Sequence, residues 1–274
     1  MESTGRFQGT LRHIYEHWPT YLFRYGGGFA LVLVTVVVAG DRGWWTVVAL
    51  ALAALLILGY FFGASLWAAH EQFDRREWEP AHVLFRMGQL QPADDFVHVG
   101  LGRRHTAVRL SRRLMSGHLT VVDVYNPQLT PSRSLARARI TLQKVEADPR
   151  LTWLEGSIDL LPLPDHSTQR VTMNRVFSEL WQHGDRELLL GEVYRILRPG
   201  GWLLLAEPVR TQTSWLVWGP AALRLQPLPY WQRLFQSAGF HPRKEETAHG
   251  LVHYFALKRP EPGEMQQLTF DFGL

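Results

Sequence analysis

The chain has 274 residues, 46% of them hydrophobic, and a formal net charge of +4. That length fits one domain with an extension, and the apolar content is ample for a core. The charge is modest for a nucleic-acid binder, so no nucleic acid is expected as a partner; it suits anionic lipid headgroups instead. Cysteine is absent, which excludes disulfides and thiolate metal sites, and the 12 histidines fall into no HxH or HExxH spacing, so no metal site is predicted.

Residues 1–24 form the first region. Phe7, Leu11, Ile14, Tyr15 and Trp18 recur at helical spacing, with Arg6, Arg12, His13, Glu16 and His17 on other faces. Two readings stand here, an interfacial amphipathic helix and an ordinary surface helix; Pro19 ends or bends either. Residues 25–69 predict a transmembrane helical hairpin. Tyr25–Gly40 carries no charge over 16 residues, just short of a span unless Trp18–Phe23 joins it with Arg24 snorkelling. Asp41-Arg42-Gly43 is a turn, and Gly43–Ala69 is uncharged for 27 residues, long enough to cross with tilt. Trp18, Trp44, Trp45, Trp67 and Trp78 cluster around this region, as at a membrane interface. Arg6, Arg12 and Arg24 precede the hairpin and Arg75 and Arg76 follow it, while the turn offers Arg42 alone. The positive-inside rule then puts both termini and the large domain in the cytoplasm, for a multi-pass protein of a bacterial inner membrane. Residues 70–90 are a charged linker followed by a lead-in helix, Pro80–Leu90.

Residues 91–258 hold the chemistry-bearing pattern. Phe96–Gly100 is a short apolar run that breaks into the turn Gly100-Leu101-Gly102-Arg103-Arg104. Thr106–Met115 reads as a helix, and Leu119–Val124 as a strand ending at Asp123. Strand, glycine loop, helix, strand and acid in that order open a nucleotide-binding α/β unit. Downstream, Trp153–Gly156 closes a third strand and Leu161-Pro162-Leu163-Pro164-Asp165 follows; Arg170–Asn174 is a fourth strand. Leu188–Leu197 is a helix stopping at Pro199-Gly200-Gly201, and Trp202–Glu207 is a fifth strand. The predicted fold class is α/β, a Rossmann-like doubly wound sheet preceded by the hairpin.

From Trp78 to Lys258 the chain resembles the class I S-adenosylmethionine-dependent methyltransferases, most specifically in Glu192-Val193-Tyr194-Arg195-Ile196-Leu197-Arg198-Pro199-Gly200-Gly201. The resemblance implies S-adenosylmethionine as cofactor, held at Gly100, Gly102, Asp123 and Gly156, with Asp123 on the ribose hydroxyls and the Gly100–Gly102 backbone on the carboxyl end. Several family marks are replaced. His98 stands where the family has an acid that helps hold the methionine ammonium, and Arg104 where it has a third glycine. Ser157 replaces an acid after the third strand, and Gln169-Arg170 replaces an acid-hydrophobic pair. A histidine cannot supply the lost negative charge, and Arg104 puts a long cation where the family leaves space.

Arg133, Arg137 and Arg139 stud the stretch after the second strand and read as a solvated basic face; contact with phosphates or an acidic partner is the alternative. Asn174, Ser178, Glu179 and His183 lie where many methyltransferases place polar groups, but no spacing forces a role and no catalytic residue is assigned. For Glu179, a substrate-orienting base stands against capping or surface placement. Arg210–Tyr230 is unusually apolar through Trp215, Leu216, Val217 and Trp218. It reads as a lid over a greasy substrate, a surface that dips into the bilayer, a partner patch, or core packing. Tyr230–Phe240 is a helix, and His241–Glu246 with Leu251–Lys258 a closing hairpin. Residues 259–274 are a tail with Phe270, Phe272 and Leu274 free to dock.

Three functions follow. The first is a methyltransferase-like pseudoenzyme with a degenerate cofactor site, an accessory or structural subunit of a larger membrane complex, with the bilayer and integral membrane proteins as partners. Energy-transducing complexes, respiratory or photosynthetic, are the first class to examine. The second is an active S-adenosylmethionine-dependent methyltransferase working on a lipid, quinone or pigment precursor. The third is a sensor that binds the cofactor without turnover. An Arg104 side chain in the cofactor volume would favour the first; a clear channel from Asp123 to the membrane face would favour the second.

Overall fold

The computed structural model describes residues 10, 11, 14, 15, 18–130, 132, 135, 136, 139 and 148–263. Most of the expected 5–18 helix, Arg133, Arg137, and the tail residues Phe270, Phe272 and Leu274 lie outside these. The chain divides into two compact units, Met1–Arg76 with Gln212–Ala222, and Glu77–Thr211 with Leu223–Leu274.

In the first unit a helical turn, Trp18–Tyr21, and a π-helical turn, Leu22–Gly26, run directly into α1, Gly27–Asp41. The shortfall expected for the first span is thereby removed: the helix continues back through an exposed Arg24, giving 20 residues from Leu22 to Asp41, about 30 Å at 1.5 Å per residue. After a tight turn, in which the Trp44 N–H donates to the Ala39 carbonyl at 2.8 Å, α2 runs over Trp45–Phe73. Both helices are long and apolar enough to cross a membrane. They pack as an antiparallel pair. The Tyr25 hydroxyl donates to the Phe61 carbonyl at 3.2 Å, and the Phe62 ring meets Tyr21 and Tyr25 edge-on. Leu31, Val34, Val37, Leu50, Leu56 and Ile57 are exposed on their outer faces, a surface with the composition of a lipid-facing one.

The second unit is a seven-stranded sheet. A 3₁₀ turn, Arg76–Trp78, leads to α3, Pro80–Met87, which starts with proline at the position where a missing N–H costs nothing. Then come β1 (Phe96–Gly100), α4 (Arg104–Ser111), β2 (Leu119–Asp123), β3 (Leu151–Glu155), β4 (Thr168–Asn174), α5 (His183–Ile196) and β5 (Leu197–Pro208). The chain next contributes α6 (Gln212–Trp218) to the first unit, and the following 3₁₀ turn, Gly219–Arg224, returns to the second. It finishes with α7 (Leu228–Ser237), β6 (His241–Ala248) and β7 (Val252–Lys258). Strand order is β3-β2-β1-β4-β5-β7-β6; the first five strands are parallel, and β7 pairs antiparallel with both β5 and β6.

Both faces of the sheet are covered, as parallel strands require. Val97, Val99, Leu203 and Leu205 pack with α5 and α7 on one face. Phe96, Val121 and Leu204 pack with α3 and α4 on the other. Several expected boundaries move: β5 starts at Leu197 rather than Trp202, and α7 ends at Ser237 rather than Phe240. Two shifts in helices have a visible cause. α4 stops at Ser111 rather than Met115, because the N–H groups of Met115, Ser116 and Gly117 all turn to the Pro92 carbonyl. α5 begins at His183 rather than Leu188, and its first turns are held by the buried Arg186, whose guanidinium donates to the Phe177 and Leu180 carbonyls.

Candidate functional site

The register sets three residues side by side at the carboxyl edge of the sheet: Gly100 opposite Asp123, and Asp123 opposite Glu155. β1 lies between β2 and β4, the point where strand order reverses and where α/β sheets open a crevice for ligands. The loop above it turns at Gly102, whose φ of +75° strains any residue bearing a side chain.

The space over Gly102 is already taken. A Cβ built there would lie 1.6 Å from Nη1 of Arg139 and 2.9 Å from Oδ2 of Asp123. Arg139 donates from Nη1 to Asp123 Oδ2 at 2.6 Å, and its guanidinium carbon lies 4.2 Å from the centre of the Tyr125 ring. Asp123 Oδ1 accepts the Tyr125 N–H at 3.1 Å, so both carboxylate oxygens are engaged. This corrects two expectations. Arg139 is an inward-turned partner, not part of a solvated basic face. The arginine on the glycine loop is Arg139, whereas Arg104 lies against the Trp153 ring, 5.3 Å from its centre. The signal in the sequence was slight: an arginine sixteen positions beyond Asp123 and a tyrosine two beyond it.

Across the loop, Arg103 pairs with Glu179 at 2.7 Å, so Glu179 is held by a cation and does not stand free as a base. His98 is buried in the sheet and bonded to Thr172 Oγ1 at 3.0 Å. Thr172 in turn donates to the Val97 carbonyl, which leaves its oxygen to accept from His98 and puts the imidazole proton on Nδ1. Burial drives the His98 pKa down to about 4, so the ring is neutral at ordinary pH. Asn174 donates to Thr106 Oγ1 at 2.9 Å, and among the described residues its buried Oδ1 accepts no hydrogen bond. Gly156 serves packing: a Cβ there would meet Val122 and Pro162 at 2.8 and 2.9 Å. Ser178 and Glu207 belong together, since buried Glu207 accepts the N–H groups of Val176, Phe177 and Ser178 at 2.9, 2.9 and 3.1 Å. Burial pushes the Glu207 carboxyl up to about 7 against those three donors. His183 bonds the Tyr230 hydroxyl at 2.9 Å.

In this arrangement the residues do not fit S-adenosylmethionine. Asp123, the acid the resemblance puts on the ribose, is paired with Arg139, the guanidinium lies over Gly102, and the ammonium end would meet a neutral histidine at position 98. Removing the acid forfeits a charge-assisted hydrogen bond of about 1.5–3 kcal/mol. Displacing a partly exposed ion pair and its ring contact costs about 1–2 kcal/mol more. Together these weaken binding by roughly a hundred- to several-thousandfold.

The specific motif at Glu192–Gly201 does different work. Glu192 accepts the Leu161 N–H at 2.8 Å, and Arg195 bonds Glu192, Asp165 and the Leu161 and Leu163 carbonyls. Arg195 holds the Glu192 carboxyl below its usual range. The motif locks a helix to the Leu161–Asp165 loop.

Fold and motif together are those of a class I S-adenosylmethionine-dependent methyltransferase domain. Residues 97–205 match the family described as a methyltransferase domain. The chain is 31% identical over 134 residues to the ubiquinone/menaquinone biosynthesis C-methyltransferase UbiE of Dinoroseobacter shibae, covering 48% of each protein. It is 39% identical over 66 residues to a probable S-adenosylmethionine-dependent methyltransferase of Mycolicibacterium smegmatis, 24% of each. The matches thus span half or less of these relatives' length. Among solved structures, a SAM-dependent methyltransferase from Aquifex aeolicus superposes with a TM-score of 0.52 at 18% identity, covering 66% of this chain and 89% of that one. The pyocyanin biosynthetic protein PhzM superposes with a TM-score of 0.51 at 16% identity, covering 66% and 54%. These two likenesses concern the fold alone.

Proposed function

We propose that this chain is a membrane-held protein of methyltransferase fold whose cofactor cleft is closed by its own Arg139, and that it serves as an accessory subunit of a larger membrane complex. One observation carries the reading: the guanidinium of Arg139 lies in the space over Gly102, bonded to the acid meant for the ribose. The neutral, sheet-buried His98 supports it. The apolar outer faces of α1 and α2 support a bilayer location with integral membrane proteins as partners. The flanking Arg24, Arg75 and Arg76 support placing the termini and large unit on the cytoplasmic side of a bacterial inner membrane. Respiratory and photosynthetic assemblies are the partners to examine first.

A second reading has its own support. Relatives about 30% identical across the domain are quinone C-methyltransferases, and a quinone precursor is the sort of acceptor a membrane-held enzyme would meet. Calorimetric titration of the detergent-purified protein with S-adenosylmethionine and S-adenosylhomocysteine separates the two. The first reading expects the folded wild type to bind no tighter than about 0.1 mM, and a stable companion protein on purification in mild detergent. Micromolar binding that disappears in Asp123→Ala overturns it in favour of the enzyme.

A further inference from the structure

The segment between β5 and α7 left four readings open, and the first unit supplies the means to choose. α6 packs along α2, and the turn after it brings Gly219 onto the Phe61 ring: φ there is +55°, and a Cβ would lie 3.2 Å from the ring edge. Phe61 is also the residue whose carbonyl takes the Tyr25 hydroxyl. Tyr25 stands next to Arg24, the first charge met on leaving the apolar run of α1. Counted from the Asp41–Trp45 turn, both Tyr25 and Phe61 lie sixteen residues along their helices, about 24 Å at 1.5 Å per residue. With the hydrocarbon about 30 Å thick, that level lies about 6 Å inside the acyl–headgroup boundary opposite the turn, within the depth an interfacial helix reaches.

What α6 shows outward matches that depth. Ser214 and Val217 are buried, while Trp215 is 41% exposed and Leu216 59% exposed. A helix on a water-facing surface carries polar residues outward; here, past Gln212 at its first position, the outward residues are an indole and an isobutyl group, the pairing expected of a headgroup-level segment. We propose that residues 212–222 are an interfacial element that lies in the boundary layer of the bilayer beside α2, with Trp215 and Leu216 in contact with lipid. The occupant of that face is lipid because the face continues the exposed apolar surface of α2, where Leu56, Ile57 and Tyr60 are likewise uncovered. The proposal holds whether or not the cleft binds a cofactor.

The chain has no native cysteine, which makes the test direct. Leu216→Cys and, separately, Trp215→Cys are labelled with an environment-sensitive fluorophore in the full-length protein, reconstituted into vesicles of phosphatidylcholine and phosphatidylglycerol. Leu31→Cys on α1, ten residues and about 15 Å from the turn, marks the mid-hydrocarbon, and Met115→Cys, 84% exposed, marks water. The expected result is blue-shifted emission at 215 and 216, with quenching several-fold stronger by a nitroxide near the headgroup than by one deep in the acyl chain, and the reverse order at 31. Emission and aqueous iodide quenching like those at 115 would overturn the proposal. So would a label shielded from both lipid nitroxide and iodide, which would mean that protein covers the face.

Discussion

At the Leu161–Asp165 loop and at the Gly100–Gly102 loop the same device, an arginine paired with an acid, has opposite consequences. Arg195 and Glu192 sit three apart on one helix and use their remaining valences on loop carbonyls and an N–H, so the pair makes a scaffold joint. Arg139 and Asp123 come from separate elements, and their pairing consumes an acceptor and a cradle that the fold otherwise offers to a ligand. The contrast teaches that the joints of this fold and its ligand contacts are separable: one set can remain while the other is rewired into internal ion pairs.

The sharpest way to test what belongs to the scaffold is Glu207→Ala. It leaves the buried N–H groups of Val176 and Phe177 and the half-buried one of Ser178 without their acceptor, and stability should fall by about 3–5 kcal/mol in denaturant unfolding. Next comes pH. Glu207, at about 7 when folded against 4.5 when unfolded, holds a proton in the folded state only, so its contribution is present below pH 4.5 and is lost as pH rises to 7. His98, at about 4 against 6.5, does the reverse: the unfolded chain holds the proton, and stability rises as pH climbs from 4 to 6.5. The two effects, roughly 3 kcal/mol each, oppose one another in the wild type. Glu207→Gln should therefore lose stability on acidification below 6.5, and His98→Gln should gain it below 7, as unfolding midpoints at stepped pH would show.

Arg195→Ala should cost about 2 kcal/mol of stability and leave cofactor affinity unchanged. Arg139→Ala should change stability by less than about 1 kcal/mol but strengthen S-adenosylmethionine binding five- to thirtyfold, read by calorimetry. If Arg139→Ala instead unfolds the protein, the contrast between joint and ligand contact collapses.

Local pattern made the scaffold legible. The apolar runs of β1, β2 and β5, the Gly100–Asp123 spacing and the Glu192–Gly201 motif each lie within one short window of sequence, and the register assembles them as expected. The site was less legible because its decisive partners are remote. Nothing near Arg139 announces Asp123, and the partners of Glu207 lie about thirty residues away. The outward pull of Arg104 toward Trp153 depends on β3 lying at the edge of the sheet. The end of α4 is set by the Pro92 carbonyl, which no helix propensity reports.

The loan of residues 212–222 to the first unit also governs how the protein comes apart. Proteolysis at the Arg76–Glu77 crossing would leave the fragments held together, because the excursion remains packed along α2 until detergent or denaturant releases it. A fragment begun at Glu77 would carry that excursion away from its helix and bare Ser214 and Val217 beside Trp215 and Leu216. It should aggregate unless those eleven residues are replaced by a short polar bridge.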